Sequence, residues 1–341
     1  MLKKILIGLL SLIVLGIIAY FIFINTGIQL PKETDSIVTT VLNADELPEL
    51  VTGETNYAEN EGVKIWYEKI VPQDSIKGTV LLIMGFGATS LVWGSDFYQP
   101  LVDAGYQVIR YDNRGVGKSD WLSNWSEENA YSLEDMAKDG LAVLDAAGVE
   151  KAHIIGASMG GMIAQRVAIS HSARTLSLTS IMSSGYMNAP EVPTMTTADA
   201  LDFGRLTLRH LMPASKEGEM KFFVGITQLL KGSGNYQPSI EKTVQRTLYE
   251  SKKRNGRNPD VSSQHQKAIE LSGSRLDELG QIKIPTLIIH GKTDPLVPFA
   301  HCEKYAPLIP HAKKLFIEGM GHDMPSIYLT AIHQAILDNI K

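Results

Sequence analysis

The five residues Gly156-Ala157-Ser158-Met159-Gly160 constrain the fold of this chain more than any other stretch. Residues 151–155 before them predict a short buried strand, and residues 161–169 after them predict a helix. A serine between such elements, with glycine two positions before and two after, is typical of a nucleophile elbow. The turn is so tight that side chains at both glycine positions would collide with backbone. The serine hydroxyl should therefore point out of the fold, at a helix N-terminus that favours developing negative charge.

The partners that such a serine needs follow later in the chain. A histidine must take the proton of the hydroxyl, and a carboxylate must orient the histidine. Hydrolases built on this elbow carry them in the order serine, acid, histidine. Asp294 follows the apolar run 285–291, and His322 follows the run 314–317 in a glycine-rich loop. Both come just after a predicted strand, where sites of open α/β sheets lie, so Ser158, Asp294 and His322 are the predicted catalytic residues.

The other histidines fit this role less well. His153 lies inside the strand before the elbow, and His290 ends a strand but precedes Asp294, which favours a structural, hydrogen-bonded role. His171 follows the elbow helix, and His210 and His265 lie in the predicted cap. Helix or helix-end patterns contain the other three, which are predicted to lie at the surface: His301, His311 and His333. Asp294 could instead be a turn residue before proline. Glu191 is then the first alternative acid.

A fourth element predicts how the developing oxyanion is held. Residues 79–84 predict a buried strand, and Gly85-Phe86-Gly87-Ala88 follows it. A glycine-rich turn here leaves backbone N–H groups free to face the site. The oxyanion hole of this arrangement combines one such N–H with that of the residue after the nucleophile. The predicted donors are the backbone amides of Phe86 and Met159.

Taken together, these segments resemble the α/β-hydrolase superfamily over roughly residues 60–341. The resemblance rests on these motifs: Met84-Gly85-Phe86-Gly87, the turn Asp112-Asn113-Arg114-Gly115-Val116-Gly117-Lys118-Ser119, the elbow, His290-Gly291-Lys292-Thr293-Asp294, and Gly321-His322. The first two motifs and Trp93 are most similar to the esterase branch that includes aclacinomycin methylesterase. The resemblance implies an α/β fold, with a mostly parallel doubly wound sheet and an inserted helical cap. It also implies hydrolysis of a carboxylic ester through an acyl-enzyme.

One departure from the family pattern affects the oxyanion turn. Many relatives carry a histidine before the first glycine of this turn, and that histidine is thought to brace the loop. Met84 stands there in this chain. The N–H donors are unaffected, but the support of the loop is left open. Arg114 in the second motif is expected to hold loops together without acting chemically.

The serine at the elbow excludes some reactions of this fold and leaves others open. Haloalkane dehalogenases and epoxide hydrolases use aspartate at that position, so these two classes are excluded. Hydroxynitrile lyases, cofactor-free peroxidases and carbon–carbon hydrolases keep the Ser-Asp-His set and stay open as alternatives. A membrane-tethered binding module that has lost activity also stays open as an alternative.

No metal-ligand spacing, P-loop or dinucleotide fingerprint occurs, so no cofactor or metal is expected. A net charge of −5 gives no general attraction to nucleic acid.

The N-terminus predicts a membrane anchor. Ile5–Ile24 is a run of twenty residues without a charge. As a helix it would be about 30 Å long, enough to cross a bilayer core. Lys3 and Lys4 before the run favour a cytoplasmic N-terminus, which puts the catalytic domain on the extracytoplasmic side. The end of the run has no convincing Ala-x-Ala cleavage site, which favours an uncleaved anchor over the alternative of a cleaved signal peptide. The single cysteine, Cys302, allows no internal disulfide, which for an exported domain is more typical of bacteria.

These patterns divide the chain into four parts. We expect an anchor over residues 1–24, a tether over 25–60, a hydrolase core over 61–186 and 281–341, and a helical cap over 187–280. Apolar residues at helical spacing predict the cap, whose pocket should suit a small, hydrophobic ester. The basic cluster 252–257 in this cap is either a solvated loop or a contact for anionic lipid head groups.

Overall fold

A computed structural model describes the backbone of residues 2–341 and the side chains from residue 12 onward. Its centre is one eight-stranded sheet. The strands are β1 (Glu54–Asn60), β2 (Val63–Ile70), β3 (Gly78–Ile83), β4 (Tyr106–Tyr111), β5 (Ala152–Ala157), β6 (Thr175–Ile181), β7 (Thr286–Gly291) and β8 (Lys313–Ile317). They are ordered β1-β2-β4-β3-β5-β6-β7-β8. In this sheet order, each strand from β4 to β8 runs parallel to its neighbours within that group. Strand β2 pairs antiparallel with both β1 and β4. The predicted mostly parallel sheet is confirmed.

The sheet topology determines where the predicted site residues lie. Strand β5, which leads into the elbow, pairs with β3 on one side and β6 on the other. Strands β7 and β8 follow in the same direction. Because the carboxyl ends of parallel strands meet at one edge, the loops after β3, β5, β7 and β8 share that edge. These four loops carry the oxyanion turn, Ser158, Asp294 and His322.

Eleven α-helices are described between residues 2 and 341. They are α1 (Leu2–Asn25), α2 (Thr34–Leu42), α3 (Ser95–Asp103), α4 (Leu133–Ala146), α5 (Met159–Ser170), α6 (Thr197–Leu206), α7 (Lys216–Leu230), α8 (Ile240–Lys253), α9 (Val261–Ser272), α10 (Phe299–Tyr305) and α11 (Ser326–Asn339). A π-helical turn, Thr207–Leu211, follows α6.

Two apolar clusters cover the two faces of the sheet. On strand β3, Leu81 and Ile83 belong to one cluster and Val80 and Leu82 to the other. This alternation is what the two-residue period of a strand requires. The first cluster includes residues of α4 and α5, and the second includes residues of α3 and α11. Helices therefore pack on both faces, as in a doubly wound sheet. Each fully buried aliphatic side chain stabilises the fold by about 1.5–3 kcal/mol.

By its internal contacts the chain divides into two compact units. One comprises Met1–Leu47, Met195–Leu230 and Pro238–Leu248, and the other comprises Pro48–Thr194, Lys231–Gln237 and Tyr249–Lys341. The second unit contains the whole sheet and α9. These divisions differ from the predicted cap over 187–280, whose bounds stay a prediction.

The first unit has a core of its own that includes residues of the predicted tether. Val38 and Val41 of α2 pack with Met220 and Val224 of α7 and Val244 of α8. The tether also contributes β1 to the sheet of the second unit. Sequence analysis predicted neither element. The polar, acidic composition of 25–60 as a whole concealed α2, although its apolar residues Ile37, Val38, Val41 and Leu42 stand at helical spacing.

Helix α1 ends against the π-helical turn of the first unit. The Arg209 guanidinium donates hydrogen bonds to the carbonyls of Ile24, Thr26 and Ile28. A cation at this place satisfies carbonyl groups that lack partners at a helix C-terminus. In the described part of the chain, no helix is long and apolar enough to cross a membrane. The predicted span Ile5–Ile24 lies partly outside that part, since the side chains of residues 1–11 are not described.

The structure corrects the expectation that the basic cluster 252–257 is a solvated loop or a lipid contact. Arg254 is buried, forms an ion pair with Asp112, and lies with its guanidinium carbon 4.2 Å from the centre of the Trp66 ring. The neighbouring Asn255 donates to the Gly117 carbonyl at 2.9 Å. Both predicted interpretations of the cluster are therefore wrong for Arg254. It is neither solvated nor free for a lipid head group, because it neutralises a buried carboxylate.

Candidate active site

The elbow forms where β5 passes directly into α5. Ser158 between them has φ +57° and ψ −123°, a conformation that few residues other than glycine adopt. A Cβ on Gly156 would collide with the backbone of Gly160, and one on Gly160 with the carbonyls of Ile83 and Met84. Both positions therefore require glycine, for the reason that the motif predicted.

Asp294 and His322 meet at the ends of the neighbouring strands β7 and β8. The His322 Nδ1 atom lies 2.8 Å from Asp294 Oδ2. The other carboxylate oxygen, Oδ1, accepts the amides of Leu296 at 2.9 Å and Val297 at 2.8 Å. Both side chains are buried. Since an ionised carboxylate only accepts hydrogen bonds, the proton of a neutral imidazole sits on Nδ1, and Nε2 keeps a lone pair.

The turn after β3 lies against the serine. A Cβ on Gly85 would stand 2.9 Å from Ser158 Cβ and 3.4 Å from its hydroxyl oxygen. Only glycine lets the turn approach this closely. Met159 is the first residue of α5, so its N–H has no partner within the helix. The two predicted amide donors, Phe86 and Met159, thus belong to segments that flank Ser158.

His265 supports the turn after β3, a contact that the sequence did not predict. Its Nδ1 accepts the Gly87 amide at 3.0 Å, and its Nε2 lies 2.9 Å from the Arg114 carbonyl. The edge of the ring faces Phe86, with 5.7 Å between ring centres. Burial lowers the pKa of His265 to about 4, which keeps the ring neutral and Nδ1 able to accept. A histidine from α9 therefore braces the turn that begins with Met84.

The other histidines divide between core and surface. His290 is buried, and its Nε2 lies 2.8 Å from the Val297 carbonyl and 3.5 Å from Asp294 Oδ2. Burial lowers its pKa, so it remains neutral beside the acid. The predicted surface location is wrong for His301, which is buried against Ser184, and for His333, whose Nε2 lies 2.9 Å from the Phe97 carbonyl. His311 is exposed, as predicted.

Two further carboxylates concern the site. The sequence offered Glu191 as an alternative acid, and it did not predict a role for Asp323. Glu191, the alternative acid, forms an ion pair with Lys304 and has a largely exposed side chain. Asp323, next to His322, was missed. Burial raises its pKa to about 6, and it accepts a hydrogen bond from the Tyr236 hydroxyl at 2.7 Å. Only the neighbouring histidine drew attention to this loop in the sequence.

Arg114 and Asn113 join the turn that follows β4 to helix α4 and to the turn after β3. The Arg114 guanidinium donates two hydrogen bonds of 2.6 Å to Asp139 on α4. Asn113 donates to the Met84 carbonyl at 2.8 Å. Among the residues whose side chains are described, no group of three or more histidine, cysteine, aspartate and glutamate side chains could hold a metal ion. The arrangement at the site is that of a serine with an acid–histidine pair and nearby backbone amides.

The family follows from comparison with known proteins. A family model described as alpha/beta hydrolase fold matches residues 78–325. The chain belongs to this family. The predicted α/β-hydrolase superfamily is therefore confirmed.

Individual relatives show how far this similarity extends. Rhodomycin D methylesterase DauP of Streptomyces sp. strain C5 is 29% identical over 295 residues, 83% of this chain and 95% of that protein. The 2-hydroxy-6-oxo-6-phenylhexa-2,4-dienoate hydrolase of Comamonas testosteroni is 30% identical over 249 residues, 71% of this chain and 80% of that protein. A crystal structure of a membrane phospholipase A matches 99% of both chains, with a TM-score of 0.64 and 23% identity.

Proposed function

We propose that this α/β hydrolase cleaves a carboxylic ester or thioester of a hydrophobic substrate through an acyl-enzyme. Ser158 is the nucleophile, His322 the base, and Asp294 the group that orients His322. The amides of Phe86 and Met159 bind the oxyanion. The observation that carries the proposal is the 2.8 Å bond between His322 Nδ1 and Asp294 Oδ2, at the sheet edge where Ser158 protrudes at positive φ.

The first half of the reaction forms the acyl-enzyme. His322 Nε2 takes the Ser158 proton while the serine oxygen bonds to the ester carbon, and the carbonyl electron pair moves onto oxygen. The two amides stabilise this oxyanion, and losing one such donor typically lowers the rate about 10²–10³-fold. The bond to the leaving alcohol then breaks, and the imidazolium gives its proton to that alcohol.

The second half releases the acid. Water gives a proton to His322 Nε2 and attacks the acyl carbon, forming the second oxyanion at the same amides. Its collapse breaks the bond to the serine oxygen, which takes the proton back from the imidazolium. No atom remains on the enzyme, and no co-reactant other than water is needed.

Replacing Ser158 by alanine should abolish turnover of p-nitrophenyl esters and leave the circular dichroism spectrum unchanged. Wild-type turnover in the Ser158→Ala variant would refute the assignment of Ser158 as the nucleophile.

One structural observation and the names of similar proteins support a hydrophobic substrate. The Phe86 side chain, in the turn that touches Ser158, is 39% exposed and offers an apolar surface beside the nucleophile. One relative is named a methylesterase, and one structural neighbour a phospholipase A. We expect p-nitrophenyl esters of increasing chain length to show rising kcat/KM. A preference for acetate over all longer acyl chains would contradict a hydrophobic substrate.

Carbon–carbon bond hydrolysis is the second candidate, because the relative from Comamonas testosteroni is named for a dienoate substrate. The same serine and acid–histidine pair are consistent with it, as they are with peroxidase or lyase activity. Parallel assays with esters and with a 2-hydroxy-6-oxodienoate separate the first two reactions. A non-catalytic binding module would turn over neither, and a fluorophosphonate would leave its serine unlabelled.

We also propose that helix α1 anchors the protein in a membrane with the catalytic residues on the extracytoplasmic side. Most of the large apolar side chains of residues 12–22 are about half exposed or more, so the described part of this helix is apolar on every face. Lipid is the surrounding that covers all faces of a helix at once. The charge-free run Ile5–Ile24 and the lysines before it support the span and its direction.

Protease treatment of intact spheroplasts tests this location. The catalytic domain should be digested from outside, while a cytoplasmic marker enzyme stays intact. Full protection of the domain would overturn the orientation. A mature N-terminus beyond Gly27 would overturn the anchor itself.

A further inference from the structure

The segment Lys231–Gln237, called the strap here, lies on the loops that carry the proposed acid and base. It has no regular secondary structure and follows α7 directly. The Ser233 amide donates to the Thr293 hydroxyl at 3.0 Å. That hydroxyl lies 3.1 Å from the Met320 carbonyl, to which it donates. One side chain next to Asp294 thus joins the strap to the loop of His322.

The strap also contacts the loop of His322 through its backbone. The Gly234 amide donates to the Gly319 carbonyl at 2.8 Å. A Cβ on Gly232 would collide with the backbone of residues 319–321, and one on Gly234 would stand 2.8 Å from the Gly319 carbonyl oxygen. Contact this close requires glycine at both positions. The sequence Gly232-Ser233-Gly234 is therefore matched to the loop of the proposed base.

Tyr236 ends this contact with a chain of hydrogen bonds. The Gly232 amide donates to its hydroxyl oxygen at 3.0 Å, and the hydroxyl donates to Asp323 Oδ1 at 2.7 Å. Tyr236 is buried, and its ring meets that of Tyr328 edge to face, with 5.9 Å between centres. Asp323 is the residue after His322, so its carboxylate is one peptide unit away from the proposed base.

We propose that Tyr236 is a positioning residue of the reaction: its hydroxyl, bonded to Asp323, holds the 319–323 loop so that the His322 ring meets Asp294. The inference rests on the proposed hydrolytic function. The hydroxyl itself is assigned no contact with the substrate. Its effect passes through Asp323 and the backbone to the imidazole, and a displacement of the ring by a fraction of an ångström is enough to slow the chemical step.

Such a link makes the reaction sensitive to the charge of Asp323. Burial raises the pKa of Asp323 to about 6, while the Tyr236 hydrogen bond and the Gly321 amide favour its ionised form. The charged groups that influence it are His322 on its own loop and Asp294 on the neighbouring loop. Lys231 lies over the Tyr236 ring, with its Nζ 5.4 Å from the ring centre. Protonating Asp323 weakens the charge-assisted bond to Tyr236 and removes a negative charge beside the imidazole.

The experiment compares Tyr236→Phe, Asp323→Asn and Tyr106→Phe, assayed with a p-nitrophenyl ester between pH 5 and pH 9. Tyr236→Phe keeps the ring and removes only the hydroxyl. We expect kcat to fall about tenfold with KM changed less than about twofold, since only the base is displaced. The acid limb of kcat should move to higher pH, because Asp323 loses a bond that favours its charge. Tyr106→Phe, which removes a buried hydroxyl bonded to the Ile340 carbonyl at the amino end of β4, is the matched control and should do neither.

Asp323→Asn provides the second readout. The amide oxygen still accepts the Tyr236 hydroxyl but cannot titrate, so this variant should retain more of kcat than Tyr236→Phe. Its acid limb should fall with the slope of a single proton, whereas the wild-type limb should be steeper because two coupled groups titrate. This variant also decides the question should Tyr236→Phe fail to fold.

Three results would overturn the proposal: an unchanged kcat and acid limb in Tyr236→Phe, an equal loss in the Tyr106→Phe control, or a wild-type slope in Asp323→Asn. Failure of the hydrolytic function itself looks different. In that case wild-type protein takes up no fluorophosphonate at Ser158, whatever the strap variants do.

Discussion

His265 and Gly87 are joined by a hydrogen bond of 3.0 Å across 178 positions of sequence. It fixes the turn that begins with Met84. The brace of this turn, which the sequence left open, therefore comes from helix α9. Because the bond requires a neutral Nδ1 acceptor, the burial that lowers the pKa of His265 to about 4 is part of how the brace works.

Replacing His265 by alanine should loosen the oxyanion turn. We expect kcat for a p-nitrophenyl ester to fall about 10–100-fold with little change in KM, because the Phe86 amide acts mainly on the transition state. His265→Asn places an oxygen near the Nδ1 position and should recover part of the rate. The exposed His311→Ala is the control. Equal rates in wild type and His265→Ala would show that the turn needs no brace.

Asp294→Asn should slow turnover by on the order of 10⁴ while the protein stays folded, because the amide no longer holds the His322 tautomer. Steady-state kinetics at pH 8 measure the effect. Glu191→Gln, at a carboxylate paired with Lys304, should keep wild-type activity. A loss below about tenfold in Asp294→Asn would indicate that a different carboxylate orients the histidine.

Two glycine substitutions should change stability in opposite directions. In Gly160→Ala the new Cβ would collide with the Ile83 and Met84 carbonyls, which cannot move without breaking the sheet edge. We expect a loss of more than about 3 kcal/mol in the free energy of unfolding. A Cβ on Gly204 in α6 has no atom within 4 Å. Gly204→Ala should add roughly 0.5–1 kcal/mol. Urea unfolding measures both, and equal midpoints would count against the elbow geometry.

Stability should fall in mild acid because two buried histidines resist protonation. Burial lowers the pKa of both His153 and His265 to about 4, whereas an unfolded histidine titrates near 6.5. Between these values the unfolded chain binds more protons, so the free energy of unfolding decreases as pH falls from about 6.5 to about 4. For fully buried His265 the loss is on the order of 3 kcal/mol.

Urea midpoints at pH 7.5 and pH 5 measure this slope. His153→Asn removes one titrating group and keeps a polar partner for Ser177, to which His153 Nδ1 is bonded at 2.8 Å. The difference between the two midpoints should then become smaller. An unchanged difference in this variant would contradict the contribution of His153.

The sequence predicted those parts of the site that depend on local rules. The elbow needs glycine within two residues of Ser158, and Asp294 and His322 follow strands whose apolar runs are short and clear. Parallel strands then bring their carboxyl ends together, so the order of motifs along the chain was enough to predict the grouping. The strands β3, β5, β7 and β8 were each predicted within two residues of their bounds for the same reason.

The parts that escaped prediction depend on contacts between distant segments. His265 and Arg254 lie in polar sequence that looks solvated, yet each reaches a partner more than 140 positions away. Helix α2 is a short apolar stretch within a polar, acidic segment, and its burial depends on packing against α7 and α8. Tyr236 and Asp323 belong to segments without periodicity, where no pattern indicates which side chain meets which.

The central claim is that Ser158 is an activated nucleophile, and intact-protein mass spectrometry after treatment with a fluorophosphonate tests it most directly. We predict one adduct per chain, mapped by peptide sequencing to Ser158, together with complete loss of ester hydrolysis. Ser158→Ala should take up no label, and Asp294→Asn should take it up far more slowly. Ester hydrolysis that persists without an adduct at Ser158 would contradict the account.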